Sequence, residues 1–122
     1  MARILVVDDE LDIVRVVVKT LEARGHAVDT GRDGAEAIDR VRAHPPDVLV
    51  IDLNLPRLDG LEVCRRLKAD PATRAVRIVM LSTTEVSLTD AQLGADLGPD
   101  EYVLKPFVRE VLINNVERLL KP

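Results

Sequence analysis

Two aspartates, Asp8 and Asp9, directly follow the apolar run Ile4-Leu5-Val6-Val7, and a third, Asp52, directly follows Val48-Leu49-Val50-Ile51. A buried apolar strand that stops on a carboxylate delivers that carboxylate to the rim of a sheet. Two such rims side by side crowd three acidic groups into one place, and like charges held that close call for a cation, a proton, or both. Lys105 follows a third apolar stretch, Tyr102-Val103-Leu104. The chain therefore sets up an acidic pocket for a metal ion beside a fixed positive charge.

The elements that must hold these groups follow from a repeated pattern of short apolar run, amphipathic stretch, short apolar run. Arg3 to Val7 reads as a strand. Asp12 to Arg24 reads as a helix, with Ile13, Val14, Val17, Val18 and Leu21 at helical spacing and Gly25 as its C-terminal stop. Strands are predicted over Ala27 to Thr30, Asp47 to Ile51, Val76 to Leu81 and Tyr102 to Leu104. Helices are predicted over Ala35 to Ala43, Leu61 to Ala69, Val86 to Leu97 and Val108 to Leu120, with Pro45-Pro46, Asp70-Pro71 and Gly98-Pro99 as breaks. Gly94 weakens the fourth of these five helices by roughly 1 kcal/mol against alanine. The strand runs lack polar alternation, which points to a parallel sheet covered by helices on both faces. In such sheets ligands sit outside the carboxyl ends of the strands. Asp8, Asp9, Asp52, Ser82 and Lys105 each lie just past the carboxyl end of a predicted strand, so five polar groups from four strands share one edge.

Composition narrows the function classes. A chain of 122 residues, 47% apolar and 31% charged, suits one domain with one core. Its net charge of -4 and scattered basic residues argue against a nucleic-acid-gripping face. The lone Cys64 cannot form an internal disulfide and fits a reducing compartment. No stretch approaches the ~18 apolar residues of a spanning helix, and Met1-Ala2-Arg3 leads straight into a strand without a signal peptide, so a cytoplasmic protein that does not engage the membrane is expected. With one tyrosine, one phenylalanine and no tryptophan, the chain offers little for stacking on a flavin.

Val6-Val7-Asp8-Asp9-Glu10, Ile51-Asp52-Leu53-Asn54-Leu55-Pro56 with Asp59-Gly60, Met80-Leu81-Ser82, and Asp100-Glu101-Tyr102-Val103-Leu104-Lys105-Pro106-Phe107 together resemble the receiver domain of bacterial two-component response regulators. The pieces fall in that family's order and spacing, and they span essentially the whole chain, 1–122. The resemblance implies a flavodoxin-like doubly wound α/β fold with five parallel strands in the order 2-1-3-4-5 and five helices. It implies that Asp52 is the phosphoacceptor and that Mg²⁺ is held by Asp9, Asp52 and the backbone carbonyl of Asn54, with Asp8 acting through bound water. It further implies that Lys105 pairs with the phosphoryl oxygens, that Ser82 donates to the phosphoryl group, that Tyr102 is the switch aromatic, and that Lys105-Pro106 is a cis peptide. The implied partners are a histidine kinase or histidine phosphotransfer protein upstream and an effector domain or protein downstream. The chain departs from the family's pattern at Ser82, where threonine is commoner, at Thr83, where alanine is usual, and at Val111 and Asn115. There the winged-helix transcription-factor branch tends to carry the Glu and Arg of its charged dimer.

Plainer readings stand beside these. Asp8 and Asp9 could cap the first helix; Thr83 or Thr84 could stand in for Ser82; Tyr102 could be a strand residue that does not switch. Cys64 suits packed core, His26 and His44 suit surface loops, and Asp33 before Gly34 suits a turn. Two rival functions remain. A haloacid-dehalogenase-like phosphatase also uses an aspartyl nucleophile, but needs an acid/base aspartate two residues later, where this chain has Asn54. A receiver-like module that is never phosphorylated typically lacks an acidic, acceptor or lysine position, and none is lost here. A single-domain regulator and the receiver of a larger protein both fit the chain.

Overall fold

The computed structural model describes residues 2–83 and 98–121. Among the described residues nine elements follow in order: β1 (Arg3–Val7), α1 (Leu11–Glu22), β2 (Ala27–Gly31), α2 (Gly34–Ala43), β3 (Val48–Asp52), α3 (Gly60–Ala69), β4 (Arg77–Ser82), β5 (Glu101–Leu104) and a last helix, Arg109–Leu120. The predicted helix Val86 to Leu97 lies outside the described residues. All strand pairs are parallel, and the sheet order is β2-β1-β3-β4-β5, the flavodoxin-like doubly wound arrangement.

The pleat explains the two-layer core. Alternate residues of the apolar strands project to opposite faces. Leu5, Val7, Leu49, Ile51, Ile78 and Met80 pack with Ala37, Ile38 and Val41 of α2 and Val63, Cys64 and Leu67 of α3. Ile4, Val6, Val48, Val50, Val79, Leu81 and Val103 pack on the other face with Val17 and Leu21 of α1 and Leu112 and Val116 of the last helix. Every residue of β3, the central strand, is buried, whereas β2 at the sheet's edge is largely exposed. Coverage of both faces therefore holds for the centre of the sheet and lapses at that edge.

Helix starts are set by side-chain caps. Asp33 accepts a hydrogen bond from the Glu36 amide at 2.9 Å, and Asp59 accepts one from the Glu62 amide at 2.9 Å; such caps contribute ~1 kcal/mol each. Asp33 thus acts as a helix cap beyond simple turn chemistry. Cys64 is buried core, as its sequence context suggests.

Candidate functional site

Strand register brings the polar residues to one edge. Val7 lies opposite Ile51, and Asp52 opposite Leu81, so Asp8 and Asp52 leave adjacent strands at the same height. Ser82 lies opposite Leu104, one step before Lys105. Asp52 and Ser82 are the last residues of their strands rather than the first residues past them. The rim is tied together by backbone bonds from the Leu53 amide to the Leu81 carbonyl (2.8 Å), from the Gly60 amide to the Leu53 carbonyl (3.0 Å) and from the Lys105 amide to the Ser82 carbonyl (2.7 Å). Gly60 is required for this closure, because a Cβ there would meet the Asp52 carbonyl at 2.4 Å.

Two short turns aim the carboxylates. Asp8 Oδ1 accepts the Glu10 amide at 2.9 Å, and Asp52 Oδ1 accepts the Asn54 amide at 3.3 Å. Each aspartate folds the chain back on itself two residues on, a habit of Asp at turns. Asp8 is therefore engaged in a turn, not in capping α1, whose cap residue is Glu10 and makes no side-chain cap bond. Asp8 and Asp52 are almost wholly buried, 2% and 3% exposed.

Lys105 enters from β5 and places its ammonium among these groups. Its Nζ lies 3.0 Å from Asp8 Oδ2, 3.4 Å from Asp52 Oδ1 and 3.4 Å from Glu10 Oε1. Carboxylate oxygens of Asp8, Glu10 and Asp52 all lie within 4.8 Å of one another. One ammonium faces three carboxylates in a site largely closed to water, and the pKa directions reflect burial first and these neighbouring charges second. Burial, with the neighbouring charge of Asp52, raises the Asp8 carboxyl above its ordinary value despite the Glu10 amide and Lys105. Burial pulls the Lys105 ammonium down, but the hydrogen bond to Asp8 and the charges of Asp8 and Asp52 outweigh it and hold it above its ordinary value.

Of the residues singled out in the sequence, Asp8, Asp52 and Lys105 meet directly. Asp9 is exposed, and its carboxylate stands outside the trio. Asn54 is exposed beside Asp52. Ser82 is fully buried one residue beyond the level of Asp52, and its neighbour Thr83 is exposed. Tyr102 is half-buried against the core layer of α2 and α3. The Lys105-Pro106 peptide is cis. Glu10 is the member to which the sequence analysis, quoting it only within the Val6-to-Glu10 motif, gave no role. Its signal was its place two residues after an aspartate at a strand-to-helix turn.

His26 corrects a second expectation. Its side chain is only 8% exposed, with Nδ1 3.3 Å from the Ala2 amide and Nε2 3.3 Å from Glu117 Oε2. His44 is exposed, in keeping with a surface loop.

A doubly wound sheet with a buried aspartate pair and a lysine at its carboxyl rim is the arrangement of a receiver, and comparison with known proteins agrees. The family model for the response regulator receiver domain matches residues 4–117. The chain belongs to that family, and so to the receivers of two-component systems. It is 39% identical over 119 residues to the response regulator MprA of Mycobacterium avium, covering 98% of this chain and 51% of that protein. The same figures, with 50% of the relative covered, hold for MprA of Mycobacterium tuberculosis. The chain thus spans about half the length of the curated relatives it matches. Among solved structures, the chemotaxis response regulator CheY4 of Vibrio cholerae superposes with a TM-score of 0.87 at 33% identity over 98% of both chains. The receiver domain of the sensor histidine kinase PA1611 from Pseudomonas aeruginosa, solved with a magnesium ion coordinated in its active site cleft, superposes with a TM-score of 0.85 at 28% identity over 98% of this chain and 97% of that one. Among the described residues, no helix is long and apolar enough to cross a membrane.

Proposed function

We propose that residues 1–122 form one receiver domain that takes a phosphoryl group onto Asp52 from the phosphohistidine of a histidine kinase or histidine phosphotransfer protein. The observation that carries this reading is the buried Asp52 carboxylate, with a second buried carboxylate beside it and an ammonium 3.4 Å away at the carboxyl rim of the sheet. An Asp52 oxygen attacks phosphorus, the bond from phosphorus to the histidine nitrogen breaks, and the imidazole leaves with the electron pair. The product is an acyl phosphate on Asp52.

The donor set suits Mg²⁺. It offers only oxygen ligands, several of them anionic, at a rim open enough for the ion to keep bound waters. Asp9, Asp52 and the Asn54 carbonyl would hold it, with Asp8 acting through water; that the PA1611 receiver was solved with magnesium in its cleft supports a magnesium ion at this rim. When bound, Mg²⁺ screens the repulsion between a carboxylate and an anionic phosphoryl donor and orients the in-line geometry.

The remaining roles fall to the chain. Lys105 neutralises charge on the equatorial phosphoryl oxygens. Asn54, two residues after the acceptor, has no acid/base group to activate water, so hydrolysis is slow and the phosphoryl group persists as a signal, unlike in a phosphatase. The new charge draws the Ser82 hydroxyl toward the phosphoryl oxygens, and Tyr102 moves into the space this opens, a two-state element biased by a local charge. Pro106, next to Lys105, belongs to the same switch. An effector domain or protein, in the cytoplasm, reads the change; the domain itself does not contact nucleic acid or membrane.

The test is to add Mg²⁺ and beryllofluoride, a phosphoryl mimic, and follow backbone and Tyr102 ring resonances by NMR. Shifts at Ser82, Tyr102 and Lys105, with a new Tyr102 rotamer, are expected. A spectrum unchanged at all three contradicts the switch.

A further inference from the structure

We propose that Lys68 and Asp100, at the amino end of the sheet, are positioning residues for the phosphoryl transfer: they fix the register of β5 and through it the place of Lys105 at the carboxyl rim. The inference rests on the phosphoacceptor reading above and deepens it.

The side chains of β5 hold its register weakly. The strand is four residues long, it stands last in the order of the described strands, and of its residues only Val103 is buried. A short strand with one side chain in the core has little to resist a slip of one residue, and such a slip would turn all its side chains to the opposite face. Lys105 follows directly, so an error at the start of the strand is carried to the ammonium, about 16 Å further on.

Asp100 supplies the missing constraint. Its amide donates to the Ile78 carbonyl at 2.9 Å, and its Oδ2 accepts the Ile78 amide at 2.7 Å. Both backbone groups of Ile78 thus engage a single residue, one step before the ladder that pairs Val79 with Glu101. A shift of β5 by one residue breaks both bonds. Lys68 locks the arrangement from α3. Its Nζ donates to Asp100 Oδ2 at 2.9 Å and to the Val76 carbonyl at 3.1 Å, and the pair is nearly closed to water, with side chains 10% and 19% exposed. Arg77 reaches Asp100 Oδ1 only at 3.5 Å and is more than half exposed, so it adds little. Desolvation offsets much of the attraction within a closed pair such as Lys68 and Asp100, so its effect lies in geometry more than in net stability.

α3 links this clamp to the phosphoacceptor. Its first residue, Gly60, is tied to the Leu53 carbonyl beside Asp52, and its last turn carries Lys68. At 1.5 Å per residue the helix covers about 15 Å, close to the run from Asp100 to Lys105. One rigid element therefore joins the Asp52 loop to the start of β5, and β5 returns to the rim to set Lys105 Nζ 3.4 Å from Asp52 Oδ1. Lys68 and Asp100 stand at the opposite end of the sheet from the reacting atoms, so their influence on the transfer passes through Lys105.

The experiment measures the initial rate of labelling by acetyl phosphate at saturating Mg²⁺ for wild type, Asp100→Ala, Asp100→Asn, Lys105→Ala and the Asp100→Ala, Lys105→Ala double variant, each checked for its fold by circular dichroism. Asp100→Ala is expected to slow labelling roughly tenfold, less than the ~100-fold that a 1 Å misplacement can cost. Asp100→Asn keeps an oxygen for the Ile78 amide and is expected to restore the rate to within about twofold of wild type. In the Lys105→Ala background, Asp100→Ala is expected to change nothing further, because the group it positions is gone. An Asp100→Ala rate equal to that of wild type would overturn the inference and leave the phosphoacceptor reading standing. Equal slowing in both backgrounds, as a general loss of structure would give, would overturn it too, and so would an Asp100→Asn rate as slow as that of Asp100→Ala. Should Asp100→Ala fail to fold, Lys68→Met, which keeps the stem and removes the ammonium, is judged by the same comparison, with roughly threefold slowing expected when Lys105 is present and none when it is alanine. A wild type that takes no label would overturn both readings.

Discussion

The two rims of the sheet use the same kinds of charged groups to opposite ends. At the carboxyl rim, Asp8 and Asp52 are buried, share one buried lysine with Glu10, and outnumber it. At the amino rim, Glu117 pairs with Arg24 at 2.9 Å and with His26 at 3.3 Å, while the Arg3 amide donates to Asp47 Oδ2 at 2.8 Å. There each carboxylate has its own hydrogen-bond donors, Arg24 and His26 for Glu117 and the Arg3 amide for Asp47, and most of the groups are open to water. The amino rim is satisfied as it stands. The carboxyl rim is not: burial, with the charge of Asp52, raises the pKa of Asp8, whereas the Arg24 guanidinium lowers that of Glu117 to about 2. An imbalance kept inside a folded domain, where it costs stability, marks a place that waits for further charge from outside.

The largest effect that could break this contrast is Lys105→Ala. Removing the one buried cation leaves Asp8 and Asp52 facing each other, which should cost about 1–3 kcal/mol, at or below the low end for a broken buried pair because Asp8 can take up a proton. The domain stays folded but loses the beryllofluoride response at Ser82 and Tyr102; urea melts with NMR separate the two. A variant that simply unfolds would leave the switch role without support.

Next in size is Asp8→Asn. It removes a buried charge, and with it the repulsion from Asp52, while keeping an oxygen for the Glu10 amide, so the protein in chelator should gain about 1 kcal/mol at neutral pH. A loss of stability would mean that Asp8 is paired as well as Glu117 is.

The smallest effect is Glu117→Gln, expected to cost ~0.5 kcal/mol, as exposed ion pairs do. Here pH sharpens the comparison. The depressed pKa of Glu117 gives stability that is fully present above 4.5 and is lost as pH falls toward about 2. The raised pKa of Asp8 has the reverse sign, so its contribution declines as pH rises from its ordinary 3.8 through its raised value. Glu117→Gln should therefore flatten the acid limb of the stability curve and Asp8→Asn should steepen it. Matching limbs in the two variants would contradict the opposed electrostatics.

Much of the carboxyl rim was legible in the sequence, because apolar runs ending on Asp8, Asp52 and Lys105 encode both strand and position. The parallel sheet followed from those runs. The order of its strands came from the family resemblance, since nothing local distinguishes one parallel neighbour from another. Strand ends were read one residue short at Asp52 and Ser82, because a polar residue closing a buried strand looks like the start of a loop. Glu10 was given no role because it follows the strand end by two residues, and only the Asp8 turn brings it back over the site. His26, after Gly25, read as loop, because its partners Ala2 and Glu117 are distant in the chain and meet only when the last helix packs.

The most direct test of the central claim is intact-mass spectrometry after incubation with acetyl phosphate, with Mg²⁺ or with chelator, on wild type and Asp52→Asn. The account predicts one added phosphoryl group on wild type with Mg²⁺, little with chelator, and none on Asp52→Asn. Full labelling of Asp52→Asn, or labelling of wild type that is indifferent to Mg²⁺, would contradict it.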